Sequence, residues 1–304
     1  MILVYTHQIS PRLQYAFKMV FKQFLNCEVR FTSQVEEFIA NDGVKISYTK
    51  NPLGSELFFR SHNILFEKGI VDQEVNVKSW KGHKVFFEQG ENSALPFDVF
   101  AASFYLLSRY EEYLPHFKDR FQRFPAKESL AFQSGFLKIP IIECWLEELV
   151  AAIQSKFPNF NPPKRHFKFV NTIDVDNAYC YQEKGIVRSI GASIRSILNL
   201  DFEDVVKRFK VLTGKEKDPY DTFDYLLDLQ KKYEFESIYF FLLADYGYND
   251  KNITVTSKKF QSLVKSMSDY VKVGIHPSWA SNTHSSKLSK EIKRLEGMVN
   301  REVV

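Results

Sequence analysis

Cysteine is scarce in this 304-residue chain, and its arrangement excludes two kinds of site. The three cysteines, Cys27, Cys144 and Cys180, are far apart, odd in number and never form a CxxC pair. A zinc–thiolate centre and a disulfide framework are therefore not indicated. This sparse cysteine usage favours the reducing cytoplasm as the compartment.

Long apolar runs and a strong charge of one sign are also missing. No stretch approaches the roughly 18 apolar residues of a membrane span, and the N-terminus resembles a first strand rather than a signal peptide. The net charge of +4 is small and spread along the chain, so nucleic acid is not indicated as the main partner. Aromatic residues are abundant instead, with 29 Phe and 15 Tyr, which favours large aromatic cores.

A segment rich in proline and asparagine, residues 157–164, interrupts the regular patterns near the middle of the chain. Before it, short strand patterns alternate with helix patterns, the first helix beginning with Ser10 as N-cap and Pro11 in its first turn. We therefore predict an α/β domain over residues 1–158 and a second domain over residues 165–304.

The second half alternates strands and helices in an order typical of a parallel sheet or barrel. Its first strand pattern ends at Asp174 and Asp176. A nearly continuous apolar run, Ser237–Ala244, suits a strand buried on both faces. A third strand pattern ends at His276.

The pair Asp174 and Asp176 follows what reads as a buried strand, built on Phe169, Val170 and Ile173. In parallel α/β proteins, active sites are built at this end of the strands. Two carboxylates at such a place cost desolvation energy unless a metal, a hydrogen-bond network or a catalytic role compensates. The alternative is an Asp that caps the next turn.

His276 ends the third strand, in which Gly274 allows a close backbone approach. In a parallel sheet, His276 would emerge on the same rim as Asp174 and Asp176. One His and one or two carboxylates could hold Zn²⁺ or another divalent ion, and a carboxylate beside the metal-bound water could act as general base. The alternative is a turn histidine that hydrogen-bonds to the backbone.

Three segments in this order resemble the first half of a NodB-type polysaccharide deacetylase domain. Thr172–Asp176 resembles the first motif of that family, Thr-Phe-Asp-Asp or its Asp-x-Asp variant, and Ser237–Leu243 resembles its Ala-Thr-Phe-Phe strand. Val273–His276 resembles the Ile-Gly-x-His lead into the second motif. The region before residue 160, with Ser108–Pro115 and Ser129–Phe132, resembles the uncharacterised domain that precedes such deacetylases in some bacterial proteins.

The resemblance implies a (β/α)7-type barrel that removes acetyl groups from an N-acetylated carbohydrate with the help of a divalent metal, for which Zn²⁺ is the expected ion. Asp174 would then be the general base, and Asp176 and His276 would be metal ligands. We assign Trp279 and Ser281, which follow His276, to substrate binding.

Two features depart from the family pattern. The second motif of the family has another His four residues after the first, and here that position is Ala280. The segment from residue 166 onward is also short, since the related eight-stranded barrel takes ~250 residues. We therefore expect an incomplete barrel, whose open edge a second copy or a missing C-terminal half would cover.

Three hypotheses about function remain open on the sequence. The first is a metal-dependent carbohydrate N-deacetylase whose chemistry is incomplete in this chain. The second is a non-catalytic relative that binds carbohydrate or acts as a scaffold, which Ala280 favours. The third is a nucleotide-sugar glycosyltransferase, whose Asp-x-Asp would hold Mn²⁺, although this leaves His276 unexplained.

Overall fold

The computed structural model describes residues 1–301, and the chain forms two compact units. The first spans Met1–His166 and the second begins at Phe167. Helices and parallel sheets are present in both units, which confirms the mixed α/β class.

A four-stranded parallel sheet forms the centre of the first unit. Its strand order is β2-β1-β3-β4, so the first strand of the chain lies inside the sheet. The strands are β1 (Ile2–Tyr5), β2 (Val29–Thr32), β3 (Lys45–Thr49) and β4 (Phe58–Arg60), and a separate antiparallel pair consists of β5 (Lys78–Trp80) and β6 (His83–Val85).

The helices of the first unit pack an aromatic core. The ring of Phe17 stacks on that of Phe100 with centroids 3.8 Å apart, and the buried Trp145 donates its indole N–H to the Lys84 carbonyl at 2.9 Å. The α-helices are α1 (Pro11–Phe17), which continues as a π-helix over Lys18–Phe24, α2 (Val35–Ala40), α3 (Val99–Leu107), α4 (Leu130–Gln133) and α5 (Ile141–Lys156).

Local sequence signals explain where the first helix begins. The Ser10 hydroxyl accepts the Leu13 N–H at 3.0 Å, and Pro11 occupies the first turn, as the sequence predicts. The apolar segment Ile64–Phe66, whose composition suits a strand, instead contributes to a 3-10 helix over Asn63–Leu65. His62 caps that helix through its side chain.

A buried carboxylate, Asp98, ties the sheet of the first unit to α3. One of its oxygens accepts the Tyr48 hydroxyl at 2.6 Å and the His62 N–H at 2.7 Å. The other accepts the N–H groups of Phe100 and Ala101 at the start of α3. Burial raises the pKa of Asp98 to about 6, and these four hydrogen bonds act against that rise.

The pKa of the His62 imidazole is shifted in the direction that disfavours its charged form. Burial lowers the pKa of His62 to about 4, and the nearby Lys50 ammonium adds to the effect. The folded state therefore holds this imidazole neutral at a pH at which the unfolded chain, with a His pKa near ~6.5, begins to take up a proton. His62 consequently lowers the free energy of unfolding as the pH falls from about 6.5 to about 4.

We predict that His62→Asn stabilises the protein relative to the wild type at pH 4.5 but not at pH 7, by roughly 1–3 kcal/mol. Asn removes the titrating ring and keeps a side-chain acceptor for the cap. Urea unfolding followed by tryptophan fluorescence measures the difference, since Trp80 and Trp145 lie in the first unit. His166→Asn, at an exposed position, controls for loss of an imidazole. If the free energy of unfolding depends on pH equally in the wild type and in His62→Asn, the lowered pKa of His62 is contradicted.

The second unit is built on a three-stranded parallel sheet with the order β7-β8-β9. Its strands are β7 (Val170–Val175), β8 (Glu236–Leu242) and β9 (Lys272–His276). Its helices are α6 (Ile186–Leu198), α7 (Phe202–Leu212), α8 (Phe223–Tyr233), α9 (Lys258–Tyr270) and α10 (Ser285–Val299).

Helices cover one face of this sheet. Apolar side chains of alternate strand residues, such as Val175, Tyr239 and Phe241, form one core with residues of α8, α9 and α10. The opposite face carries Phe240, which is only partly buried, and the exposed Asp174.

The expectation that β7 is a buried strand is wrong. Phe169, just before it, is 54% exposed, and within the strand only Val175 is fully buried. Among the described residues β7 pairs with β8 alone, so it is an edge strand. Its apolar composition cannot reveal this, because burial depends on which strands lie beside it.

Candidate functional site

The pairing register of the second sheet brings the chemistry-bearing strand ends together. Asp174 lies opposite Phe240, which lies opposite Gly274 on β9. Because side chains alternate between the two faces of a strand, these three residues share the face that the helices leave open. Two residues further on, His276 pairs with Leu242, and Asp176 follows directly after β7.

Asp176 and His276 meet at this rim. His276 Nε2 lies 3.6 Å from Asp176 Oδ1, which is too long for a direct hydrogen bond but close enough for both atoms to contact one small ligand. The Asp176 side chain is 68% exposed and that of His276 31%. The pair is thus open to solvent on the carboxylate side.

Two polar atoms beside this pair are buried without hydrogen-bond partners. They are His276 Nδ1 and the side-chain oxygen of Asn177, the residue after Asp176. Most buried polar atoms in proteins have a partner, so atoms of this kind call for an explanation. A bound ion, substrate or water would supply one.

A cleft of about 550 Å³ lies over these atoms. Asp176, His276, Trp279 and Ser281, which the sequence predicts as site residues, all line it. Asp174 is not part of the lining and has an exposed position on β7. The structure therefore brings together four of the five predicted residues. Among residues that the motifs do not mark, Asn177, Asp250 and Lys251 also line the cleft.

The segment after β9 is held in place by short-range hydrogen bonds. Ser278 caps a 3-10 helix over Trp279–Asn282 by accepting the Ser281 N–H at 3.1 Å. The buried carboxylate of Asp250 accepts the Trp279 N–H at 2.9 Å. Ser281 donates its hydroxyl to the Ser278 carbonyl at 2.8 Å, so this hydroxyl is engaged inside the segment.

The loop after β7 is organised by Asp218, a residue that no motif in the sequence marks. Its buried carboxylate accepts four backbone N–H groups. They are those of Cys180, Tyr181, Gln182 and Tyr220. Burial raises the pKa of Asp218, but these hydrogen bonds outweigh that effect and lower it overall. The backbone that leads away from Asp176 is fixed in this way.

Ala280, at the position where the deacetylase pattern has a second His, is not part of the lining of the cleft that contains His276. It lines a neighbouring cavity of about 240 Å³ together with Asp245, Lys290 and Arg294. Asp245 is paired there with both basic residues. Across residues 1–301, no group of three or more His, Cys, Asp or Glu side chains is arranged to hold a metal.

Fold and site define a two-unit α/β protein with a cleft at the carboxyl ends of a parallel sheet. Residues 2–158 match a family of unknown function (DUF7033), and the chain belongs to that family. The match covers the first unit and leaves out the strands that carry the cleft. No curated protein and no solved structure matches the chain. No helix within the described residues is long and apolar enough to cross a membrane.

We predict that Gly274→Ala destabilises the second unit by about 1–3 kcal/mol. A Cβ at Gly274 would lie 2.7 Å from two ring carbons of Phe240, so this ring would have to move. In a Phe240→Leu background, the same change should cost clearly less. Thermal unfolding of the wild type, the two single variants and the double variant measures this coupling.

Gly191→Ala is the matched control, because a Cβ there meets no atom within 4 Å and the residue lies inside α6. It should be neutral or stabilising, since Ala favours a helix more than Gly does. If Gly274→Ala lowers the free energy of unfolding equally with Phe and with Leu at position 240, the close approach of Gly274 to the Phe240 ring is contradicted.

Proposed function

We propose that the second unit is a polysaccharide-deacetylase-like module that binds a divalent cation between Asp176 and His276 and acts on an N-acetylated glycan. The observation that carries the proposal is this pair, with 3.6 Å between Nε2 and Oδ1 in a cleft at the strand ends. The imidazole makes no hydrogen bond to any described residue, and its buried Nδ1 is among the unpartnered atoms.

The donor types fit a zinc ion, which takes imidazole nitrogen and carboxylate oxygen as ligands. Catalytic zinc sites normally have three protein ligands, and Asp176 and His276 supply two of them. We therefore expect binding that is weaker than at a complete site, with the remaining positions taken by water or substrate. A bound divalent ion would polarise the acetyl carbonyl of a substrate.

The chain's own groups have distinct parts in this proposal. Asp174 shares the open sheet face with Phe240 and would take a proton from the attacking water. It lies outside the cleft lining, so this role requires substrate or water to extend along the sheet face. Trp279 offers an aromatic surface at the cleft, on which the apolar face of a sugar ring would pack.

The one-sided cover of the sheet supports a barrel of the deacetylase type. In a (β/α) barrel the helices lie outside, and the other face of each strand points to the interior. Asp174 and Phe240 lie on such a face. Further strands, from a C-terminal half or a second copy, would close the barrel over it.

A non-catalytic carbohydrate-binding relative is the second candidate. It is favoured by Ala280, which lines a different cavity from His276. In that case the cleft would hold a glycan through Trp279 and the polar groups around it, without metal and without hydrolysis.

We predict that the full chain binds Zn²⁺ and that Asp176→Asn and His276→Gln each weaken binding by at least about tenfold. Isothermal titration with Zn²⁺ measures the affinity. Asp269→Asn and His284→Gln, at exposed positions outside the cleft lining, make the same chemical changes as controls. Binding that all four variants leave unchanged would contradict the assigned pair.

Acetate release from an N-acetylated oligosaccharide separates the two candidates. The deacetylase proposal expects release that stops in Asp174→Asn while Zn²⁺ binding is retained. Oligosaccharide binding without metal and without acetate release would establish the carbohydrate-binding alternative. Absence of both metal and oligosaccharide binding would contradict both.

A further inference from the structure

Helices α6 and α7 turn their apolar sides outward. The most exposed of these side chains, Val187, is 85% accessible, and even Ile197 is 46% accessible. No residue of α6 is buried. The hairpin face, as we name this surface, consists of Ile186, Val187, Ile190, Ile194, Ile197, Leu198, Leu200, Phe202, Val206 and Phe209.

The pattern of α6 is that of a strongly amphipathic helix. Its apolar residues recur at spacings of three and four, which places them in one stripe along the helix. In α9 of the same unit, a stripe of this kind, with Phe260, Val264 and Met267, is buried in the core. In α6, by contrast, the stripe faces solvent.

The inner side of the hairpin is polar, and it fixes this orientation. Asp204 on α7 accepts hydrogen bonds from the Ser196 hydroxyl at 2.7 Å, the Tyr181 hydroxyl at 2.8 Å and Arg208 at 2.8 Å. The guanidinium of the buried Arg208 also lies over the Tyr181 ring. Turning the apolar stripe inward would break these bonds, so the exposure of the hairpin face is built into the unit.

Basic residues outnumber acidic ones by six to three in the segment 184–210, which forms the hairpin. The segment 184–200 contains three basic residues and no Asp or Glu. These are Lys184, Arg195, which is exposed, and Arg188, which lies over the Tyr246 ring. Helix α7 adds the exposed Lys207 and Lys210, of which Lys210 is paired with Glu216. Of the three acidic residues in the segment 184–210, Asp204 is turned inward and paired with Arg208, whereas Asp201 and Glu203 are exposed. An apolar stripe on a segment with a net positive charge is complementary to an apolar layer beneath negative charges.

We propose that the hairpin face docks on the surface of a bilayer that contains anionic phospholipids. Interfacial helices combine a wide apolar stripe with Lys and Arg on the polar side, and they lie in the plane of the headgroups. Anionic headgroups attract each nearby basic side chain. At 13 residues, α6 is too short to span the bilayer and suits this surface position.

A second copy fits this surface less well. A symmetric dimer places the same patch against itself. The net positive charge of the hairpin, to which the exposed Arg195 and Lys207 contribute, would then approach a second hairpin of the same charge, and like charges oppose such an approach. A bilayer with anionic lipids offers an apolar layer to the stripe and negative headgroups to the positive charge.

Vesicle co-sedimentation of the full chain tests the proposal. We expect binding to phosphatidylcholine vesicles that contain phosphatidylglycerol, weaker binding to phosphatidylcholine alone, and a decrease at high salt. Ile190→Ser combined with Ile194→Ser should lower the partition coefficient roughly tenfold or more. Arg195→Glu combined with Lys207→Glu should abolish the preference for anionic vesicles.

Ile39→Ser combined with Ile70→Ser removes two exposed isoleucines of the first unit and should leave partitioning unchanged. Sedimentation velocity without lipid is run on the same proteins. Equal binding of the wild type and the Ile190/Ile194 variant overturns the proposal, as does absence of wild-type binding. A wild-type dimer that this variant dissociates, with unchanged vesicle binding, would assign the hairpin face to self-association and overturn it too.

Discussion

Parallel pairing through the central strand β8 is the constraint on which the candidate site depends. Asp176 and His276 are far apart in the sequence, and only the shared register of β7 and β9 on β8 brings them to 3.6 Å. Gly274 is part of the same constraint, because a side chain there would meet the Phe240 ring and push β9 or the ring away. A shift of one residue in either pairing would turn the Asp or the His to the opposite face.

Buried carboxylates that accept backbone hydrogen bonds recur where an element must be held at a fixed angle. In the first unit, Asp98 joins the sheet to the start of α3. In the second, Asp218 gathers the backbone amides of the loop after β7. Each carboxylate satisfies several donors that would otherwise be buried without partners, a loss that costs ~1–3 kcal/mol per group. These residues are therefore structural, and His276 and Asn177 in the cleft differ from them in having buried polar atoms without partners.

Local patterns in the sequence predict the elements and the strand-end residues well, because caps and apolar spacing act over a few neighbours. Ser10 and the rim position of His276 are examples. The roles of Asp218 and Asp204 could not be predicted, since their partners lie up to 38 residues away or are backbone groups. Periodicity identifies α6 as amphipathic but does not indicate which side of the helix faces inward. The hydrogen bond from Ser196 to Asp204 determines this, because it holds the polar side of α6 against α7.

The loop from Asp176 to Tyr181 connects the cleft with the hairpin face. Its backbone is held by Asp218, and the hydroxyl of Tyr181 is held by Asp204 on α7. Burial raises the pKa of Asp204, but hydrogen bonds from Arg208, Ser196 and Tyr181 outweigh it and lower that pKa to about 2. The pKa of Asp218 is lowered as well. Carboxylates with lowered pKa stabilise the fold above their unfolded pKa of ~3.9 and lose this effect only as the pH falls through their folded values. The hydrogen bonds that connect the hairpin with the loop after Asp176 therefore persist throughout the neutral pH range, because neither carboxylate takes up a proton there.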